Sequence, residues 1–310
     1  MIGSAYLAAE GLEQPLQEEL SRAGIAITAW HGRLALSPNP PHHAAWALDT
    51  WTAPEEHSAA SVKDAADLLR ARQRNWSAYA AGHHRRTALI EARLPPVRAR
   101  PLLFPGPAPQ SHLGAWTLLD QNRLLLTTTK TSPFPSGECR LVEDHIGPPS
   151  RAYLKLQEAL TRWRAYPAPG ETCIDLGASP GGWTWVLAQL GATVRAIDKA
   201  PLDPRVASLP NVSATAESAF ALEPCPVDWL VCDVIAYPDR LRAMLTRWTA
   251  RGAARRIVAT VKFQGDTDHD AAEAFAAIPG SELIHLHHNK HELTWLWQSP
   301  PVPEGEPGPG

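Results

Sequence analysis

Residues Asp175-Leu176-Gly177-Ala178-Ser179-Pro180-Gly181-Gly182-Trp183 follow a short apolar run and precede a helical pattern that ends near Leu190. They specify a strand, a tight glycine loop and a helix. Gly177, Gly181 and Gly182 remove side chains from the loop, so its backbone can approach a nucleotide-like ligand, and Asp175 stands at the carboxyl end of the strand. A dinucleotide fingerprint requires G-x-G-x-x-G, but Ala178 and Ser179 follow Gly177 and Pro180 precedes the glycine pair. The pyrophosphate cradle is therefore not spelled out. An ordinary strand-to-helix turn needs neither three glycines nor flanking acids in register. The loop fits S-adenosylmethionine better.

The second acid is Asp198, at the end of the β-branched run Ala192-Thr193-Val194-Arg195-Ala196-Ile197. Its spacing from Asp175 is that at which a carboxylate in a βαβ unit accepts hydrogen bonds from both hydroxyls of a ligand ribose. Glu217, after Asn211-Val212-Ser213-Ala214-Thr215, occupies the corresponding place behind a third strand, where an adenine amino group would lie; a solvated loop glutamate is the alternative.

From Cys173 onward, strands near 172–175, 193–197, 211–214, 228–232 and 256–261 alternate with helical patterns. That alternation specifies an α/β fold, a parallel, doubly wound sheet. The last two runs, Glu282 to His287 and Leu293 to Trp297, are too close for a crossover helix and must pair antiparallel. Upstream, the pattern predicts helices over Leu12 to Ala23 and Val62 to Arg74 and a strand over Arg33 to Leu36. A hairpin is expected where Asp120-Gln121-Asn122 joins 115–119 to 123–127. The proline-rich stretch 94–109 reads as a linker or a wandering loop. Ser150 is the expected N-cap of a helix running to about Trp163. The division expected is 1–146 as a smaller α+β region, 147–299 as the glycine-loop domain and 300–310 as a disordered tail.

The chain has 310 residues, 44% of them hydrophobic, enough for a substantial core. No apolar run reaches membrane-spanning length and no secretory signal opens the chain, so a cytoplasmic location without membrane contact is expected. Cys139, Cys173, Cys225 and Cys232 show no C-x-x-C pairing, which predicts buried free thiols. Net charge is −3, yet Arg70, Arg72, Arg74, Arg85, Arg86, Arg93, Arg98 and Arg100 share their segment with one acid, Glu91. Such a patch binds phosphates whatever the chain average, because screening confines the interaction to about 8 Å. A solvated helix face is the other reading. His285, His287, His288 and His291 lack an acid or cysteine at ligand spacing, and no metal is expected. Trp183 belongs to helix packing or to a wall of the cofactor pocket.

Four ionisable residues fall where strand carboxyl ends would gather them: Lys155 on the entering helix, Asp233 after Trp229-Leu230-Val231-Cys232, Lys262 after Ile257-Val258-Ala259-Thr260-Val261, and Glu292 at the start of the last strand. Singly, each has an ordinary structural role. Together they suit methylation of a hydroxyl, a poor nucleophile whose proton a base must remove. Lys262 is the candidate base, since Lys155 and a sulfonium nearby would both disfavour its charged form. Asp233 and Glu292 would orient the lysines and hold the hydroxyl.

Asp175 to Trp183, the segment Ser150-Arg151-Ala152-Tyr153-Leu154-Lys155-Leu156-Gln157-Glu158-Ala159, Val231-Cys232-Asp233 and the two later candidates together resemble the ribose 2′-O-methyltransferases with a Lys-Asp-Lys-Glu tetrad. Within that group the resemblance is to the ribosomal RNA large subunit methyltransferase M family, over roughly Gly147 to Gln298. The resemblance implies Lys155, Asp233, Lys262 and Glu292 as the catalytic set. It implies Gly177, Ala178, Pro180, Gly181, Gly182, Trp183 and Asp198, with Asp175, Glu217 and Asp233, as contacts of S-adenosylmethionine. The implied substrate is a cytidine ribose of bacterial 23S rRNA; given an RNA substrate, Arg70, Arg72, Arg74, Arg85, Arg86 and Arg151 are the candidate RNA contacts, and no stable protein partner is inferred. A Rossmann-like domain preceded by a ferredoxin-like piece and a THUMP module is also implied. Gly11 to Leu36 resembles the start of that piece, and Thr131-Ser132-Pro133-Phe134 its Ser-Pro-Phe segment, but the half is shorter than usual. Two other classes stay open. A small-molecule methyltransferase would need neither lysine pair nor arginine-rich half; a silent RNA-binding protein would lose the tetrad.

Overall fold

The computed structural model describes Ile2 to Val97 and Ala99 to Pro300. Arg98 and the expected tail from residue 301 lie outside the described residues. Contacts divide the chain into two units. The first runs through Glu143 and also takes Gln157–Arg164 and Ile284–Leu293; the second takes Asp144–Leu156, Ala165–Leu283 and the chain from Thr294.

The first unit opens with β1 (Ser4–Ala8), α1 (Glu13–Arg22), β2 (Ala29–His31), β3 (Leu34–Ser37) and β4 (Ala47–Trp51). These strands pair antiparallel in the order β2-β3-β1-β4. Order and directions are those of a ferredoxin-like sheet. The second helix of that motif is missing because residues 38–44 carry three prolines, at 38, 40 and 41, which no helix interior tolerates. Next come β5 (Glu55–Ser58), α2 (Val62–Arg72), β6 (Trp76–Ala78), α3 (His84–Glu91), β7 (Gly114–Leu118) and β8 (Arg123–Thr127). They form a second sheet, β5-β8-β7-β6, in which β7 and β8 are the expected hairpin. Ser61 caps α2 reciprocally with Asp64, satisfying two orphan donors of the first turn. Trp76, Trp116, Leu124 and Leu126 fill the core beneath α2 and α3.

The proline-rich stretch runs inside the first unit. Its backbone is pinned by Leu102, which donates to Arg140 O at 2.8 Å and accepts from Val142 N at 2.8 Å, so it is an insertion and not a boundary. The Ser-Pro-Phe segment is likewise tied down. Buried Lys130 donates to Asp49 Oδ2 at 2.8 Å and to the carbonyls of Ser132 and Phe134, while Asp49 Oδ1 accepts from Ser132 N at 2.9 Å.

The helix α4 (Tyr153–Trp163) follows, then β9 (Thr172–Leu176), α5 (Gly182–Gln189), β10 (Thr193–Asp198), α6 (Pro204–Ala207), β11 (Val212–Ala216), β12 (Val227–Cys232), α7 (Pro238–Ala250), β13 (Ala254–Lys262), α8 (His269–Ala276), β14 (Ser281–Ile284) and β15 (Glu292–Gln298). One seven-stranded sheet results, ordered β11-β10-β9-β12-β13-β15-β14. Strands β9 to β13 are parallel, with the carboxyl-terminal pair antiparallel, which is a Rossmann-like sheet. The central strands are buried on both faces, hence their near-continuous apolar runs, such as Trp229 to Cys232 and Ile257 to Val261.

Two local expectations are corrected. Ser150 does not cap α4: the helix begins three residues later, and Ser150 Oγ is buried without a hydrogen-bond partner. Strand β14 ends at Ile284, so His285 to His288 belong to a connecting loop and do not alternate across a sheet. Among the described residues, no helix is long and apolar enough to cross a membrane. Cys139, Cys173 and Cys232 are buried free thiols.

Candidate functional site

The sheet order reverses between β9 and β12, and ligands of open α/β sheets bind outside the strand carboxyl ends at such a point. A cavity of about 490 Å³ opens there, lined by Gly177, Asp198, Glu217, Asp233, Val234 and Lys262 among others. Its size is that of a small-molecule site. Gly177 is at φ +77°, and a Cβ there would come within 2.7 Å of Val234 Cγ1. Only glycine allows both the left-handed backbone and the close approach to the loop after β12.

Asp198 Oδ2 accepts from Ser179 N at 3.0 Å and Oδ1 from Ala200 N at 2.9 Å. A carboxylate offers about four acceptor sites, so two remain for hydroxyls in the cavity. Glu217 faces the same space from the end of β11.

The other expected loop contacts do different things. Asp175 is 1% exposed and accepts from Thr184 Oγ1 at 2.6 Å, while its Oδ1 has no partner. Burial pushes this carboxyl up to about 7, against the Thr184 hydrogen bond and with help from the negative charge of Asp233. Trp183 is buried and donates from Nε1 to Ala152 O at 2.9 Å, so its indole fixes the loop before α4. Gly181 lies against Val206 and Gly182 against Ser150. Ala178 is buried in a small cluster with Ala196, Leu202 and Val206. Asp175, Ala178, Gly181, Gly182 and Trp183 thus shape the loop from behind; neither they nor Pro180, which is exposed, line the cavity.

Lys155, Asp233 and Lys262 meet. Lys155 Nζ donates to both carboxylate oxygens of Asp233 at 3.0 Å. Lys262 Nζ lies 2.9 Å from Asp233 Oδ1 and donates to the Asp233 carbonyl at 2.6 Å. Their side chains are only 12 to 19% exposed, so the interactions are less screened than surface pairs. Glu292 opens β15, the neighbour of the strand that ends at Lys262. It is buried; Lys290 N donates to its Oε1 at 3.4 Å and Asn289 Nδ2 to its carbonyl at 3.2 Å.

Sequence reading missed Glu158. Its carboxylate is fully buried in the first unit and accepts from Arg162 Nε at 2.7 Å, His287 N and His288 N at 2.9 Å, and pairs with His288 Nδ1 at 2.7 Å. Burial alone would raise this carboxyl, but Arg162 and His288 outweigh it and hold it down at about 2. A glutamate four residues from an arginine reads as a solvated i,i+4 pair, and nothing in the local pattern separates the buried case. Burial pushes the neighbouring His285 down to about 4; its Nε2 faces Lys290 O at 2.9 Å.

The arginines divide. Arg70 is engaged by Asp67, Arg72 pairs with Glu55 at 2.7 Å, and Arg86 donates to Ala59 O at 3.0 Å. Arg74, Arg85, Arg100 and Arg151 are exposed. Arg74 lines a cavity of about 440 Å³ with four prolines, at 96, 109, 133 and 135.

Residues 148–269, which contain the glycine loop, Lys155, Asp233 and Lys262, match the FtsJ-like methyltransferase model. Over those residues the chain is similar to FtsJ-like methyltransferases. Ribosomal RNA large subunit methyltransferase M of Halorhodospira halophila is 39% identical over 170 residues, 52% of this chain and 50% of that protein. The Cellvibrio japonicus protein of the same name is 41% identical over 139 residues, 43% of this chain and 39% of its own. That of Xanthomonas oryzae pv. oryzae is 32% identical over 222 residues, 65% and 63%. The matches span between 39% and 63% of the length of these three relatives.

Proposed function

We propose that this chain transfers a methyl group from S-adenosylmethionine to a ribose 2′-hydroxyl of RNA, with a cytidine of bacterial 23S rRNA as the target. The observation that carries the reading is the convergence of Lys155 and Lys262 on Asp233 at the rim of the Gly177 cavity. Glycine, the pair of carboxylates Asp198 and Glu217, and the cavity's size suit an adenosine-bearing cofactor, whose sulfonium supplies an electrophilic methyl when bound.

The reaction forms an O–CH3 bond, breaks S–CH3 and releases the hydroxyl proton. Lys262 Nζ, once it has given its own proton to solvent, accepts that proton. Asp233 keeps Lys155 and Lys262 within one hydrogen-bonded set and so fixes where the acceptor oxygen is held. Lys155 supplies a fixed positive charge beside the developing alkoxide. Glu292 is the fourth residue that the family resemblance implies. The arginines left exposed on the first unit supply phosphate contacts.

Transfer of tritium from labelled S-adenosylmethionine to in vitro transcribed 23S rRNA tests the reading. Lys262→Ala should lower the rate 10²- to 10⁴-fold, the usual contribution of a positioned base. The dissociation constant for S-adenosylhomocysteine should change little. Label appearing in a small-metabolite pool and not in rRNA would refute the proposal.

A further inference from the structure

We propose that Ile235 and Tyr237, in the loop between β12 and α7, form the platform on which the base of the acceptor nucleotide stacks. The inference rests on the RNA ribose methylation proposed above and names the substrate contact at that same site.

Ile235 is 80% exposed and Tyr237 66%. Single exposed apolar residues are common and need no explanation. Position is what distinguishes these two. Of the three large hydrophobics exposed in the second unit among the described residues, Ile146, Ile235 and Tyr237, two fall within four residues of Asp233. Ile235 lines the same cavity as Asp233 and Lys262. Four residues of extended chain span at most about 14 Å, so Tyr237 stays close to the lysines wherever its ring turns.

The loop is also held. At one end Asp233 N donates to Leu176 O at 3.1 Å; at the other, Tyr237 O accepts from Leu241 N at 3.1 Å. Pro238 at the first position of α7 confines Tyr237 to an extended backbone, observed at φ −62° and ψ 143°. A rigid backbone that presents an aromatic ring and a branched aliphatic side chain to solvent loses little entropy on binding. Unstacked nucleobases are recognised by such surfaces in single-stranded RNA, because every base has a π-face. When a ribose hydroxyl is held at Lys262, the base on that ribose must project out of the cavity, past Ile235, the most exposed apolar side chain of its lining, with Tyr237 two residues further along the same loop.

The test is steady-state methylation of unmodified 23S rRNA by Tyr237→Ala, Tyr237→Phe and, as a control outside the site, Ile146→Ala. Tyr237→Ala should lower kcat/KM for RNA by tenfold or more, in line with the loss of one base–aromatic stack. Tyr237→Phe should recover most of that loss, and binding of S-adenosylhomocysteine should stay within twofold in both. Ile146→Ala should behave as the unaltered chain. An RNA kcat/KM unmoved by Tyr237→Ala, or equally low in Tyr237→Phe, overturns the platform while leaving ribose methylation standing. If the unaltered chain moves no label to RNA, both proposals fall.

Discussion

Lys262 Nζ reaches two different atoms of Asp233, the carboxylate Oδ1 at 2.9 Å and the main-chain carbonyl at 2.6 Å. The carboxylate is shared with Lys155, so removing its charge leaves two ammonium groups facing each other with one compensating dipole. Asp233→Asn keeps the shape and deletes the charge. It should reduce kcat at least 100-fold, with KM for rRNA within threefold, because the acceptor is misplaced more than unbound. A kcat within fivefold of the unaltered chain would show that Asp233 is dispensable to the chemistry.

Glu158 should be visible in acid denaturation. A carboxyl held at about 2 in the folded chain and near 4.5 when unfolded contributes stability that is complete above the unfolded value. That contribution, about 3 kcal/mol, disappears as pH falls through the folded value. Glu158→Gln should therefore be less stable at neutral pH, and the gap from the unaltered chain should narrow between pH 5 and pH 2. Urea midpoints at several pH values measure it; a gap constant with pH would contradict the assignment.

Asp175 has the opposite sign. Its folded value of about 7 exceeds the unfolded one, so between roughly pH 4 and 7 the folded chain holds a proton that the unfolded chain has released. Stability from this group is present at low pH and falls as pH rises through that window. Asp175→Asn, which stays neutral, should gain in melting temperature relative to the unaltered chain as pH is raised from 5 to 8. Parallel melting curves across that range would rule the effect out.

RNA affinity should separate the arginines. Arg85 is exposed, whereas the Arg72 guanidinium is 2.7 Å from Glu55. Arg85→Ala should flatten the salt dependence of binding by about 0.7 to 0.9 in log–log slope, the change expected for one phosphate contact. Arg72→Ala should flatten it less, since its charge is already compensated. Filter binding at 50 to 200 mM salt reads the slopes, and identical slopes for all three proteins would remove Arg85 from the interface.

Much of the second unit was legible because its signals are local. The Asp175 to Trp183 loop, the spacing to Asp198 and the runs ending at Asp233 and Lys262 each encode a strand end, and parallel topology puts those ends side by side. The first unit was less legible. Strands such as Glu55–Ser58 and Trp76–Ala78 are short and partly exposed, and their apolar alternation is too brief to register. Ser150 looked like a cap because a serine follows two prolines, yet the helix starts later and the hydroxyl is buried. Glu158 was invisible because its four donors come from Arg162 and from a loop more than a hundred residues downstream. The basic segment overstated its free charge, since neutralising acids at Glu55 and Asp67 lie just upstream of the window.

The reversal of strand order between β9 and β12 divides labour across the sheet. Asp198 and Glu217 come from strands on one side of that break, Asp233 and Lys262 from strands on the other. If the proposed methyl transfer holds, the first pair can be recast to admit a bulkier sulfonium reagent without touching the second, which would make the protein a site-directed labelling tool.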